Sequence, residues 1–151
     1  MIVYKVGDLL DAPEPIIAHS VNAQNKFGAG LAKQIAEQYP DAKREYLKYG
    51  AEIGWNPGDI QYIWIGDFGK DQWLANCCTQ EHYGRYRDYN DYNAFYKVFV
   101  ELSCFCERHG YKSIGIPKMG SGLAGGQWEK IAKILNRCIA HKPIDFHVYT
   151  R

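Results

Sequence analysis

Apolar and polar positions along this chain recur with two periods, and the switches between them mark its elements. Ile2 to Val6 is β-rich and stops at Gly7-Asp8. Pro13 and Pro15 then mark a loop before a second apolar run, Ile16-Ile17-Ala18-His19-Ser20-Val21. From Leu31 the apolar positions return every three or four residues until Pro40, which predicts a helix with a proline stop. A second short helix is expected from Asp41, as its N-cap, to Gly50. Ile60 to Ile65 and Trp73 to Cys78 read as strands. Tyr92 to His109 reads as a helix with Tyr92, Phe95, Phe99, Leu102 and Cys106 on one face, ended by Gly110. Ser113 to Ile116 is a further strand, Gln127 to Ala140 a helix turning Trp128, Ile131, Leu135 and Cys138 inward, and Phe146 to Tyr149 a last strand. Strands alternating with helices select a layered α/β domain in which helices cover a mixed sheet.

The 151 residues suffice for one hydrophobic core and not for two, so residues 1–151 are expected to form a single domain. A hydrophobic share of 46% with 23% charged residues is that of a folded protein and excludes disorder or a coiled coil. Lys+Arg of 18 against Asp+Glu of 17 leaves a net charge of +1, without the excess of a bulk nucleic-acid or membrane-surface binder. Charges interrupt the opening residues MIVYKVGDLL, where a signal peptide or spanning helix has none, so a cytoplasmic protein with no membrane contact is expected. The five cysteines (Cys77, Cys78, Cys104, Cys106, Cys138) are odd in number and lie in apolar segments, which suits reduced core thiols. Their spacing lacks the two-residue gap of a zinc knuckle, so no metal is expected.

Two loops are rich in glycine. Asn22-Ala-Gln-Asn-Lys-Phe-Gly28-Ala-Gly30 follows a strand and opens the helix at Leu31; Gly120-Ser-Gly-Leu-Ala-Gly-Gly126 follows the strand at Ser113 and opens the helix at Gln127. Glycines let backbone N–H groups approach an anion, and a helix N-terminus adds unpaired donors, so two such loops suit a diphosphate. The second loop also spells Gly120-x-Gly122-x-x-Gly125, but Asp145 begins a strand where a ribose-binding acid would end one, which argues against a dinucleotide fold. The stretch Gln80 to Asp91, with tyrosines at 83, 86 and 89, reads either as a surface loop or as a lid or wall beside the site.

Four passages in order resemble the macro domain, the ADP-ribose-binding α/β/α fold: Lys5-Val-Gly-Asp8-Leu-Leu, Ala18-His-Ser-Val-Asn22 with Gly28-Ala-Gly30-Leu, Ile116-Pro-Lys-Met-Gly120-Ser-Gly-Leu, and Val148-Tyr149. The resemblance covers nearly the whole chain. It implies a three-layer α/β/α domain with a mixed, mostly parallel six-stranded sheet, ADP-ribose or a derivative as ligand, and no cofactor or obligate protein partner. The details resemble most the branch of ADP-ribose-1″-phosphate phosphatase and the terminal and DNA ADP-ribose glycohydrolases.

By that resemblance Asp8, beside Leu9, accepts a hydrogen bond from the adenine amino group, unless it merely caps the next turn. Asn22 meets the distal ribose, Lys26, Phe27, Gly28, Ala29 and Gly30 hold the distal phosphate and ribose, and Gly120, Ser121, Gly122, Leu123, Ala124 and Gly125 wrap the diphosphate. Tyr149 and an aromatic of the tyrosine-rich stretch flank a ring, unless they are simply core. The glycohydrolase lysine is missing, since the corresponding region reads Thr79-Gln80-Glu81-His82, and Ala124 stands where that branch has an acid. His19 stands where the phosphatases have theirs, to assist a water attack or protonate the departing sugar oxygen, so His19 and Asn22 are the expected catalytic pair; a histidine that simply holds the strand end is the alternative. Three functions follow: a phosphatase acting on ADP-ribose-1″-phosphate, a hydrolase removing ADP-ribose from protein or nucleic acid, and a non-catalytic reader.

Overall fold

The computed structural model describes residues 1–83, 88–121 and 127–151. Six strands form one sheet: β1 (Ile2–Val6), β2 (Ile16–Asn22), β3 (Ile60–Trp64), β4 (Trp73–Gln80), β5 (Ser113–Ile116) and β6 (Asp145–Thr150), in the order β1-β6-β5-β2-β4-β3. Every neighbouring pair is parallel except the edge strand β3, which runs antiparallel to β4. The mixed, mostly parallel sheet implied by the resemblance is the one observed. β2 and β4 are buried almost throughout, as strands must be when helices cover both faces of a sheet.

The helices divide between the two faces. α1 (Gly30–Gln38) and α2 (Pro40–Glu52) cover one, where Ile35, Tyr46 and Trp55 pack on Ile17, Val21 and Leu74. α3 (Tyr92–His109) and α4 (Trp128–Ile139) cover the other, where Phe95, Phe99, Leu102, Ile131 and Leu135 pack on Ile16, Ala18, Ala75 and Phe146. The period-two alternation of β2 therefore sends Ile17 and Val21 to the α1/α2 side and Ile16 and Ala18 to the α3/α4 side.

The pattern located every strand and α-helix but not the short 3-10 turn Leu9–Asp11, and the other differences lie at the ends. Asp41 is not an N-cap: Pro40 occupies the first position of α2, where its missing N–H costs nothing, and Asp41 sits in the first turn paired with Arg44. Tyr92 is only half-buried, whereas Ala94, Val98, Ser103 and Phe105 join the inner face of α3. Gly110 closes α3 in the left-handed conformation at φ 72°. The five cysteines are free thiols, four of them buried and Cys104 half-buried.

Leu102 is fully buried between α3 and the sheet. Leu102→Ala is expected to cost about 2 to 5 kcal/mol of unfolding free energy in urea. A loss below about 1 kcal/mol would mean that α3 is not packed as described.

Candidate functional site

β2 and β5 lie side by side in the sheet and run in parallel. The chain leaving β2 turns to α1 on one face, and the chain leaving β5 turns to α4 on the other. Loops departing in opposite directions open a crevice at the carboxyl ends of the strands. Here that crevice is a cavity of about 1190 Å³. Its described walls are the end of β2 (His19 to Asn22), the first glycine loop (Asn25 to Gly30), Leu31 and Ala32 of α1, Lys43 and Leu47 of α2, Gln80, Tyr83, and Pro117 to Ser121.

The first loop is shaped by the Asn22 side chain. Its Oδ1 accepts from the backbone N–H groups of Gln24 (3.0 Å) and Lys26 (3.3 Å) and from the Tyr46 hydroxyl (3.1 Å), while its Nδ2 donates to the Lys26 carbonyl at 2.9 Å. Both backbone groups of Lys26 are thus held by one amide. The register of β2 against β4 shifts between Val21 and Asn22, a bulge that re-aims the strand end. One step on, Asn25 takes a left-handed backbone at φ 61° and donates from Nδ2 to the Leu47 carbonyl of α2. It fits only because Gly50 has no side chain: a Cβ there would collide with Asn25 Oδ1.

The second loop is anchored from the tyrosine-rich stretch. Asn90 donates from Nδ2 to the Gly120 carbonyl at 2.9 Å and to Asp88 Oδ1 at 2.8 Å. Gly120 has φ 78°, and a Cβ on it would lie 2.6 Å from both Asn90 and Ile131, so glycine is required twice over. Ser121 donates its hydroxyl to the Lys118 carbonyl at 2.6 Å. Gly122, Leu123, Ala124 and Gly125, together with Gly84 to Arg87 of the tyrosine-rich stretch, lie outside the described residues. Of that stretch, Tyr83 borders the cavity and is half exposed.

His19 points from β2 into the α1/α2 layer, edge-on to Phe27 at 5.5 Å, and is 2% exposed. Its Nε2 lies 2.6 Å from Oδ1 of Asn76, its register partner on β4. Asn76 spends its Nδ2 donors on the Ala42 carbonyl (3.2 Å) and Gln61 Oε1 (3.1 Å), so its oxygen faces the ring and Nε2 carries the proton. Burial lowers the His19 pKa to about 4, the Asn76 bond opposing it. Near neutral pH the ring is uncharged, with Nδ1 as its only acceptor.

Asp8, Leu9 and Tyr149 are not among the described walls of this cavity. They gather instead at the ends of β1 and β6. Asp8 caps the single 3-10 turn Leu9–Asp11 by accepting from Leu10 N, and its second oxygen pairs with Arg151 at 2.9 Å. Tyr149 donates its hydroxyl to Glu14, which also meets His147 Nδ1 at 2.5 Å and Lys5 Nζ at 3.5 Å. Burial pushes the Glu14 carboxyl up, but the bonds from His147 and Tyr149 outweigh it and leave the pKa below the usual range.

Sequence reading missed Ser20, Asn25, Lys43, Leu47 and the buried pairings of Asn76 and Glu14. Ser20 Oγ is buried without a protein partner among the described residues although Ser20 borders the cavity. The left-handed Asn25 beside a glycine-lined helix leaves no signature that a single sequence displays.

A six-stranded α/β/α domain with a crevice between two glycine loops is a phosphate-ligand architecture. The model of the Macro domain family matches residues 18–135, and the chain belongs to that family. Among its relatives, an "ADP-ribose 1″-phosphate phosphatase" of Lodderomyces elongisporus is 24% identical over 98% of this chain and 97% of its own length. A "DNA ADP-ribosyl glycohydrolase" of Thermus aquaticus is also 24% identical, over 99% of this chain, which spans 41% of that protein's length. The macrodomain of Mycobacterium tuberculosis DarG superposes with a TM-score of 0.86 at 23% identity, over 100% of this chain and 98% of that one. Among the described residues, no helix is long and apolar enough to cross a membrane.

The state of His19 gives a test with a definite sign. Its pKa lies below the ordinary 6.5 in the folded protein, so between pH 6.5 and about 4 the unfolded chain binds more protons and stability is lost as the pH is lowered. At 1.36 kcal/mol per pKa unit the full effect is about 3 kcal/mol. His19→Gln, which keeps an N–H donor, is expected to lose less unfolding free energy than the wild type between pH 7.5 and 4. Equal losses would mean that His19 titrates normally.

Proposed function

We propose that the cavity binds ADP-ribose with its diphosphate across the two glycine loops and its distal ribose at the end of β2, and that the protein is a phosphatase acting on ADP-ribose-1″-phosphate. The observation that carries this reading is one cavity joining the first glycine loop, the Gly120-Ser121 turn and the tip of β2, whose described walls carry glycine turns, three lysines and one uncharged histidine. The family, and a relative named for this phosphatase that aligns along both full lengths, support it.

In the reaction a water oxygen bonds to phosphorus as the bond from phosphorus to the sugar oxygen breaks. That oxygen leaves with the electron pair and takes a proton from solvent, giving ADP-ribose and inorganic phosphate. A histidine with its pKa near 4 holds no proton to give at neutral pH, and its Nε2–H is already committed to Asn76. Of the two roles the resemblance offered, His19 therefore keeps one, acceptor of the water proton at Nδ1. Asn22 keeps the loop that holds the ribose and has one Nδ2 hydrogen left for a ribose hydroxyl. Most of the rate enhancement comes from positioning and from backbone N–H groups facing the developing charge. Asp8 and Tyr149 complete the site by taking the adenine end, where Arg151 must yield its contact with Asp8.

Hydrolysis of ADP-ribose from nucleic acid or protein is the second reading, favoured by the relatives named as glycohydrolases. Against it stands Thr79-Gln80-Glu81-His82 in place of the nucleophilic lysine. A reader without turnover is the third.

Wild-type protein is expected to release phosphate from ADP-ribose-1″-phosphate, and His19→Ala to lower kcat at least about tenfold while calorimetry finds ADP-ribose still bound. The wild-type kcat/KM should hold through pH 6.5 and fall only toward pH 4. Release of ADP-ribose from a modified DNA or protein without phosphate release would establish the second reading, and binding with no turnover the third.

A further inference from the structure

The chain as a whole is nearly neutral, but the cavity is not. Lys26, Lys43 and Lys118 stand in its described wall, which contains no Asp or Glu. None of the three pairs with a carboxylate among the described residues. Residues 84–87 and 122–126 contain no acidic side chain either. Unpaired lysines around a concave surface focus positive potential where a ligand sits.

Two of the lysines border the cavity from elements that are bonded to each other, Lys26 from the first loop and Lys43 from α2. Lys26 is clamped at both its N–H and its carbonyl by the Asn22 amide. The preceding residue, Asn25, is strained into the left-handed region and bonded to the Leu47 carbonyl of α2. Lys43 and Leu47 are four residues apart on α2 and so share a helix face, the one that borders the cavity. The bulge, the clamp, the left-handed asparagine and the glycine at position 50 together hold the Lys26 backbone and bond its loop to α2, the helix that carries Lys43, and both lysines line the cavity. Backbone strain of this kind is retained where a functional arrangement needs it.

We infer that Lys26 and Lys43 form a subsite for a phosphate monoester carried on the distal ribose, separate from the glycine-loop donors that hold the diphosphate. This rests on the proposed orientation of ADP-ribose in the cavity and deepens it. ADP-ribose alone leaves the two lysines without a counter-charge, whereas a dianionic terminal phosphate satisfies both. Lys118 lines the cavity just ahead of the second loop, after β5, and is assigned on this reading to the diphosphate.

The test uses the full chain and two ligands: ADP-ribose, and its 1″-phosphonate, in which a methylene group replaces the bridging oxygen so that turnover cannot consume it. Calorimetry at low salt is expected to find the phosphonate bound about tenfold more tightly, the size of two screened charge pairs. The ratio should shrink toward one in 0.5 M salt. In Lys26→Ala/Lys43→Ala the ratio should collapse to about one at low salt, and Lys26→Arg/Lys43→Arg should restore most of it. Equal affinities in the wild type, or a ratio unchanged in the double alanine variant, overturn the subsite while ADP-ribose binding keeps the underlying reading intact. Failure of wild-type protein to bind ADP-ribose overturns both. A folded double variant is confirmed by an unchanged unfolding midpoint, and Lys118→Ala, which should weaken both ligands alike, separates the subsite from a general loss of positive potential.

Discussion

The whole arrangement depends on two adjacent parallel strands, β2 and β5, whose chains must leave in opposite directions. Their helices are committed to opposite faces because each carries one apolar stripe that has to be buried. Once α1 goes one way and α4 the other, the carboxyl ends of the strands cannot both be covered, and a crevice opens there. Its described lining comes from the strand ends, the loops that follow them and the facing helices, and includes glycines, two asparagines, a histidine and three lysines.

The polar groups near this crevice serve structure first. Asn22 spends most of its hydrogen bonds on its own loop, and Asn76 spends all that are described on tying β2, β4, α2 and β3 together through His19, Ala42 and Gln61. Leaving any of these groups buried and unpaired costs more than the bond itself returns, so the network is rigid. Rigidity of the backbone is what a site built on N–H donors needs, because such donors act without reorganising. The same burial that makes the network rigid removes the charge from His19 and narrows its chemistry to accepting a proton.

Charge behaves differently at the two scales. A net charge of +1 describes a surface where lysines and carboxylates are interspersed, as with Arg108 and Glu101 or Lys142 and Glu107. The described walls of the cavity hold lysines and no carboxylate. Glu14, the one deeply buried carboxylate among the described residues, does not line the cavity and is held by Lys5, His147 and Tyr149. Acidic groups are thereby absent from the described walls of the cavity.

The sequence by itself determined the elements, their alternation, the covering of both faces and the two glycine loops, because apolar period and turn chemistry are local properties. It also carried the motifs by which the macro domain family is recognised, and it singled out Lys26 through Gly30, Gly120 and Ser121, which the structure brings to one cavity. It misassigned the start of α2, where Asp41 and Pro40 both signal a helix beginning and only geometry chooses between them. Tertiary structure alone decided that Lys43 and Leu47 of α2 border the cavity, that Asn25 needs Gly50, that Asn76 fixes the His19 tautomer, and that Asp8 and Tyr149 form their own cluster with Arg151 and Glu14. Each of these joins residues separated along the chain, and neither pattern nor composition records how far two side chains lie apart once strands have found their neighbours.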